Sequence, residues 1–88
     1  MSDPESEARM ELLRDAILRV LDASSVMQGA QPEAVVVHVR AYGFEIKYDE
    51  AVRELQYLAD KGLARQQPRP LNPNIKSWHI TAAGRDVI

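Results

Sequence analysis

Three prolines within six positions, Pro68, Pro70 and Pro73, interleaved with Asn72 and Asn74, constrain this chain more than any other feature. Proline breaks a helix interior and has no amide donor for a central strand. The composition therefore predicts a loop over residues 68–74. Before it, Leu63 to Gln67 read as an extended strand leaving a helix. After it, residues 75–80 alternate, with Trp78 and Ile80 on one side and Ser77 and His79 on the other. Two strands around a long tip make a β-hairpin, so the helices must come from the residues on either side.

Three helical segments precede the hairpin. Asp3-Pro4-Glu5 is a helix start, with Asp3 as cap, Pro4 in the first turn and Glu5 complementing the dipole. Met10, Leu13, Ile17, Val20 and Leu21 then form one apolar stripe with Ala16 between them, ending near Ala23. The first four residues are expected to be a flexible lead. Residues 25–31 form a short connection that contains Gly29. Pro32-Glu33 starts a second helix with Gln31 as its cap. The valines of residues 34–42 favour strands, but Pro32 at the start and Gly43 past the end favour a helix of about three turns. Val35, Val36 and Val39 then face the core, with Tyr42 at its edge. Gly43 ends this helix, and Phe44 and Ile46 anchor the connection.

The third helix follows Asp49 or Tyr48, with Asp49 the better cap chemically, and runs to Lys61 before Gly62. Ala51, Leu55, Leu58 and Ala59 set its inner face, leaving Glu50, Arg53, Glu54, Tyr57 and Lys61 as the outward stripe. Thr81 caps a short terminal helix, in which Gly84 is expected to cost about 1 kcal/mol relative to Ala while Val87 and Ile88 return to the core. The expectation is one domain over residues 1–88, mainly α with a small β-hairpin, an α+β arrangement.

Composition enters mainly by exclusion. The chain has no cysteine, so disulfides and thiolate chemistry are ruled out. His38 and His79 lack a spaced carboxylate cluster, which argues against a metal site. Ser24, Ser25 and Ser77 lack a nucleophile context, and no glycine-rich phosphate loop is present. Neither an enzyme nor a cofactor is expected. No stretch has the length of a membrane span and the acidic start is unlike a signal peptide, so a cytoplasmic protein is expected. Residues 1–24 carry six acids against three bases, residues 25–62 six against four, and residues 63–88 one against four. The basic end, with Arg65, Arg69, Lys76 and Arg85, suits an anionic partner, or simply a solvated surface.

Two residue patterns carry a family resemblance. Leu55-x-x-Leu58-x-x-x-Gly62-Leu63 is similar to the end of the third helix in MarR-, ArsR- and PadR-like regulators. Trp78-His79-Ile80-Thr81-Ala82-Ala83-Gly84-Arg85 is similar to their passage from the second wing strand to the terminal helix. The chain thus resembles the winged helix-turn-helix superfamily over residues 10–88, and its size resembles small phage and prophage members. The resemblance implies a three-helix core, a brief first strand within residues 25–31, a wing and a short terminal helix. It also implies a transcriptional regulator with its third helix in the major groove of double-stranded DNA. Lys47, Tyr48, Arg53 and Tyr57 would contact DNA from that helix, and Arg65, Arg69 and Lys76 from the wing. Such a small footprint suggests a homodimer formed through the first and terminal helices. Two departures from the family pattern stand out: the turn before the third helix is longer, and its outward stripe carries acids. The acids, with Leu71 and Ile75 on the wing, motivate an alternative, a winged-helix module that binds a protein partner within a phage or multi-subunit assembly.

Overall fold

The computed structural model describes residues 4–24, 28–69 and 71–88. Over them the chain is mixed α+β and mostly helical. The elements are α1 (Pro4–Ala23), α2 (Pro32–His38), a 3-10 turn (Val39–Tyr42), α3 (Tyr48–Asp60), β1 (Ala64–Arg69), β2 (Asn72–Ile80) and α4 (Ala82–Asp86). α1 starts at Pro4, inside the expected flexible lead, with Glu5 and Glu7 in its first turn. The expected Asp3 cap lies outside the described residues. Leu13, Ala16, Ile17, Val20 and Leu21 are buried as the stripe predicts, and Leu18 is buried too, on another side of the helix.

The valine-rich segment does form a helix, but its last turn tightens to 3-10. Gln31 precedes α2 without capping it through its side chain. Val35 and Val39 are fully buried, whereas Val37 and Tyr42 are exposed, so Tyr42 lies farther out than the core edge. Gly43 takes a left-handed conformation at φ 88°. Its amide donates to Arg40 O and that of Phe44 to Val39 O, the paired bonds of a Schellman cap.

α3 begins two residues earlier than the Asp49 cap implies, and Lys47, at the N-cap position, makes no side-chain cap. Asp49 instead sits with Glu50 in the first turn, where their charges complement the helix dipole. The other end repeats the Gly43 geometry. Gly62, at φ 76°, donates to Ala59 O, and Leu63 donates to Leu58 O.

β1 and β2 pair antiparallel from Ala64↔Ile80 to Pro68↔Lys76, and the register then shifts so that Arg69 faces Asn72. The expected loop over residues 68–74 is thus mostly strand. A two-stranded ribbon has no central strand, so Pro68 and Pro73 sit where open edges tolerate a missing donor; Pro70 lies outside the described residues. Among the described residues of the expected first strand, Ala30 alone pairs with the hairpin. Ala30 exchanges both backbone bonds with Trp78, at 2.9 and 2.8 Å, and residues 25–27 lie outside the described set. Trp78 and Ile80 are buried, but so are Ser77 and His79. The alternation does not separate a wet face because the segment before α2 covers it. Gln31 Nε2 reaches Ser77 Oγ at 3.5 Å, and a Cβ at Gly29 would come within 2.7 Å of His79 Nε2.

α4 docks on the end of α3. Thr81 Oγ1 accepts from Gly84 N at 3.0 Å and donates to Gly62 O at 2.7 Å. Thr81 N donates to Leu63 O at 3.1 Å. A Cβ at position 84 would lie 2.2 Å from Leu63 O. This reverses the expected effect of Gly84: close backbone approach requires the glycine, and its cost in helix propensity is secondary. Ile88 packs against the core, while Val87 is exposed, so only one of the two terminal apolar residues returns inward.

Gly84→Ala is expected to destabilise the fold by about 2–3 kcal/mol through overpacking. Thr81→Ala is expected to cost about 1–2 kcal/mol, and Thr81→Ser much less. Urea unfolding with an unchanged slope measures each.

Candidate nucleic-acid interface

α3 keeps its expected inner face and adds one residue to it. Ala51, Leu55 and Leu58 are buried, but Glu54, expected outward, is only 3% exposed. Its Oε2 accepts from Arg14 Nε at 2.6 Å, and Arg14 itself keeps 28% exposure. A buried carboxylate is tolerated only with a partner of this kind. Glu50 is half-buried. Asp49, Arg53, Gln56, Tyr57, Asp60 and Lys61 are exposed, and of these Asp49, Arg53, Gln56 and Asp60 form an i, i+4, i+7, i+11 stripe along one helix face. Gln56 Nε2 donates to Asp60 Oδ1 at 3.0 Å within it.

The seven expected contact residues fall in different places. Arg53 lies in the exposed stripe. Tyr57 is turned toward α1, where the Arg14 guanidinium carbon sits 3.7 Å from its ring centroid and Lys61 Nζ 5.6 Å. Tyr48, nine residues earlier, is on roughly the opposite side of the helix. It is half-exposed beside an open crevice of about 370 Å³, where the start of α3 meets the hairpin; Val52, Gln31, Gln66, Asn74 and Lys76 also line it. Gln31 Nε2 donates to Lys76 O at 3.2 Å and fixes the middle of β2 against the start of α2. Lys47 is exposed at the beginning of α3, next in sequence to Tyr48.

Arg65 is exposed on β1, and its Cα partner across the strands is His79. Strand alternation puts Arg65 on the face opposite Gln66, Trp78 and Lys76. It therefore lines a different pocket, with Arg85 and Ser24. Arg69, half-buried, stands at the register shift near the tip. The structure thus brings together Tyr48 and Lys76 at the crevice, with Lys47 adjoining, and separates Tyr57 and Arg65 from them. Residue pattern alone passed over Gln31, Gln66 and Asn74 at the crevice. It also passed over Asp49, Gln56 and Asp60, although their helical spacing is a readable signal.

Among the described residues, no group of three or more His, Cys, Asp or Glu is placed to hold a metal ion. No helix among them is long and apolar enough to cross a membrane. No protein-family model, curated protein or solved structure matches the chain.

Arg14→Ala is expected to lose about 2–3 kcal/mol of stability by stranding the Glu54 carboxylate, whereas replacing both residues, R14M with E54L, recovers most of that loss. Denaturant unfolding of the single and double variants measures the difference.

Proposed function

We propose that this chain is a small winged-helix DNA-binding protein with a regulatory role. In this reading α2, the turn through Gly43 and α3 form the helix-turn-helix, and the β1–β2 hairpin is the wing. The observation that carries it is the crevice between the start of α3 and the hairpin. There Tyr48 and Lys76 meet the hydrogen-bonding side chains of Gln31, Gln66 and Asn74. Lys47, Lys76 and Arg69 contact phosphate from the two sides of that junction. The exposed stripe of α3 faces base edges with side chains suited to them: Arg53 to guanine, Gln56 to adenine, and Asp49 and Asp60 to the cytosine amino group.

This balance has an energetic consequence. Three phosphate-contacting cations beside two exposed acids supply weak non-specific attraction, so discrimination rests on the α3 stripe and on a doubled footprint. A homodimer provides that footprint, and exposed Leu12 on α1 and Val87 after α4 provide apolar material for it.

A second reading, a winged-helix module for a protein partner, is favoured by two observations. Asp49 and Asp60 flank the exposed face of α3, and Leu71 is fully exposed at the hairpin tip with Ile75 behind it.

Duplex binding measured by fluorescence anisotropy across a salt series separates the two. DNA binding through three phosphates gives a slope of log affinity against log salt of about −3, and Lys47→Ala with Lys76→Ala reduces it by about 2. No binding at low salt, or a double variant indistinguishable from the parent, overturns the DNA reading in favour of a protein partner.

A further inference from the structure

On the far side of the hairpin from the crevice lies a polar pocket of about 350 Å³ between the end of α1, the base of the β-strands and α4. Arg65 comes from β1, His79 from β2, Arg85 from α4 and Ser24 from the end of α1, over a floor of Leu21 and Ile80. His79 is 7% exposed, and among the described residues its imidazole makes no hydrogen bond. Arg65 belongs to none of the ion pairs among those residues; one of its nitrogens donates to Gln67 Oε1. Arg85 spends Nε on Asp22 Oδ1 at 3.0 Å, which leaves the outer nitrogens of its fork. Ser24 Oγ donates to Val20 O and keeps a free lone pair.

Around one polar cavity, Arg65 has no carboxylate partner among the described residues, Arg85 keeps the outer nitrogens of its fork beyond the Asp22 pair, and the His79 imidazole has no hydrogen-bond partner among them. We propose that this pocket is a binding site for the oxyanion of a small organic ligand, a phosphate ester or a carboxylate. The Arg65 and Arg85 forks bind the oxygens in charge-assisted hydrogen bonds. His79 donates a third hydrogen bond, and Leu21 and Ile80 cover the ligand's apolar part. The volume suits a small molecule and not a macromolecular groove. The site is separate from the proposed DNA contact, so either can stand without the other.

The charges around His79 give the site a pH dependence. The imidazole faces Arg65 from β1, Arg85 from α4, and Leu21, Ser24 and the nearby Asp22 from α1, with the Gly29 backbone behind it. Burial first, and the Arg65 charge second, push its pKa below the ordinary value. A bound oxyanion opposes both effects. Binding therefore raises the His79 pKa, and by linkage affinity increases as pH falls toward that value.

The two imidazole resonances, His79 and exposed His38, give the test by NMR. The protein is titrated with inorganic phosphate and with acetate at constant ionic strength held by chloride. Expected are a saturable shift and an upward pKa displacement at His79 with at least one of the two anions, and none at His38. Whichever anion binds more tightly identifies the head group. Arg65→Gln and Arg85→Gln are each expected to weaken binding about tenfold, and His79→Gln to abolish its pH dependence; circular dichroism confirms that each variant is folded. Equal drift of both histidines, no saturation, or a folded Arg65→Gln variant that binds as the parent does overturns the proposal. So does a His79 shift produced by duplex DNA and by neither small anion, which would place these residues on a DNA surface.

Discussion

The contact on which the rest of the molecule depends is the docking of Thr81 and Gly84 against the end of α3. One hydroxyl accepts the Gly84 amide and donates to Gly62 O, while the Thr81 amide takes Leu63 O. Both carbonyls belong to the two residues just past the C-cap of α3, whose amides have already taken the helix's own Ala59 and Leu58 carbonyls. The exit from α3 and the start of the terminal helix are therefore tied together by the same few atoms. The hairpin leaves and returns at this point, since Ala64 pairs with Ile80 immediately beyond it. Its position relative to α3, and so the shape of the crevice at Tyr48, is set there.

This contact also gives a physical account of why the two residue patterns occur together in one chain. Leu58, Gly62 and Leu63 shape a helix end that presents two carbonyls. Thr81 and Gly84 shape a helix start that binds one of them with a side chain and approaches the other too closely for a Cβ. Each pattern has a local role, and the two are complementary surfaces of a single joint.

Much of the architecture is legible from local pattern because its causes are local. The stripe of α1, the glycines at 43 and 62 and the Thr81 cap all act within one or two turns. The misreadings share a different origin. Glu54 looks like a surface residue until Arg14, forty positions away, supplies its partner. The absence of Glu54 from the outward face of α3 follows from that long-range pair. The prolines forbid a central strand, but nothing nearby in sequence says that this ribbon has none. Ser77 and His79 alternate with Trp78 and Ile80 by polarity, yet both faces are covered because Ala30 and Gln31 fold back over the strand. At the candidate site, residue type located the cations but not the face of the hairpin on which each one lies, which depends on strand register.

The prolines of the hairpin have a consequence for how the protein behaves in a concentrated solution. Beyond the Ala30 pairing, the ribbon's outer edges have no neighbouring strand among the described residues. An open edge of this kind is a template on which foreign strands add, the first step toward aggregation. Pro68 and Pro73 each delete one amide from the ribbon, and the shift at Arg69 breaks its register. An incoming strand would find an interrupted row of donors. The residues that first suggest a loop thus serve a strand, keeping it from recruiting others.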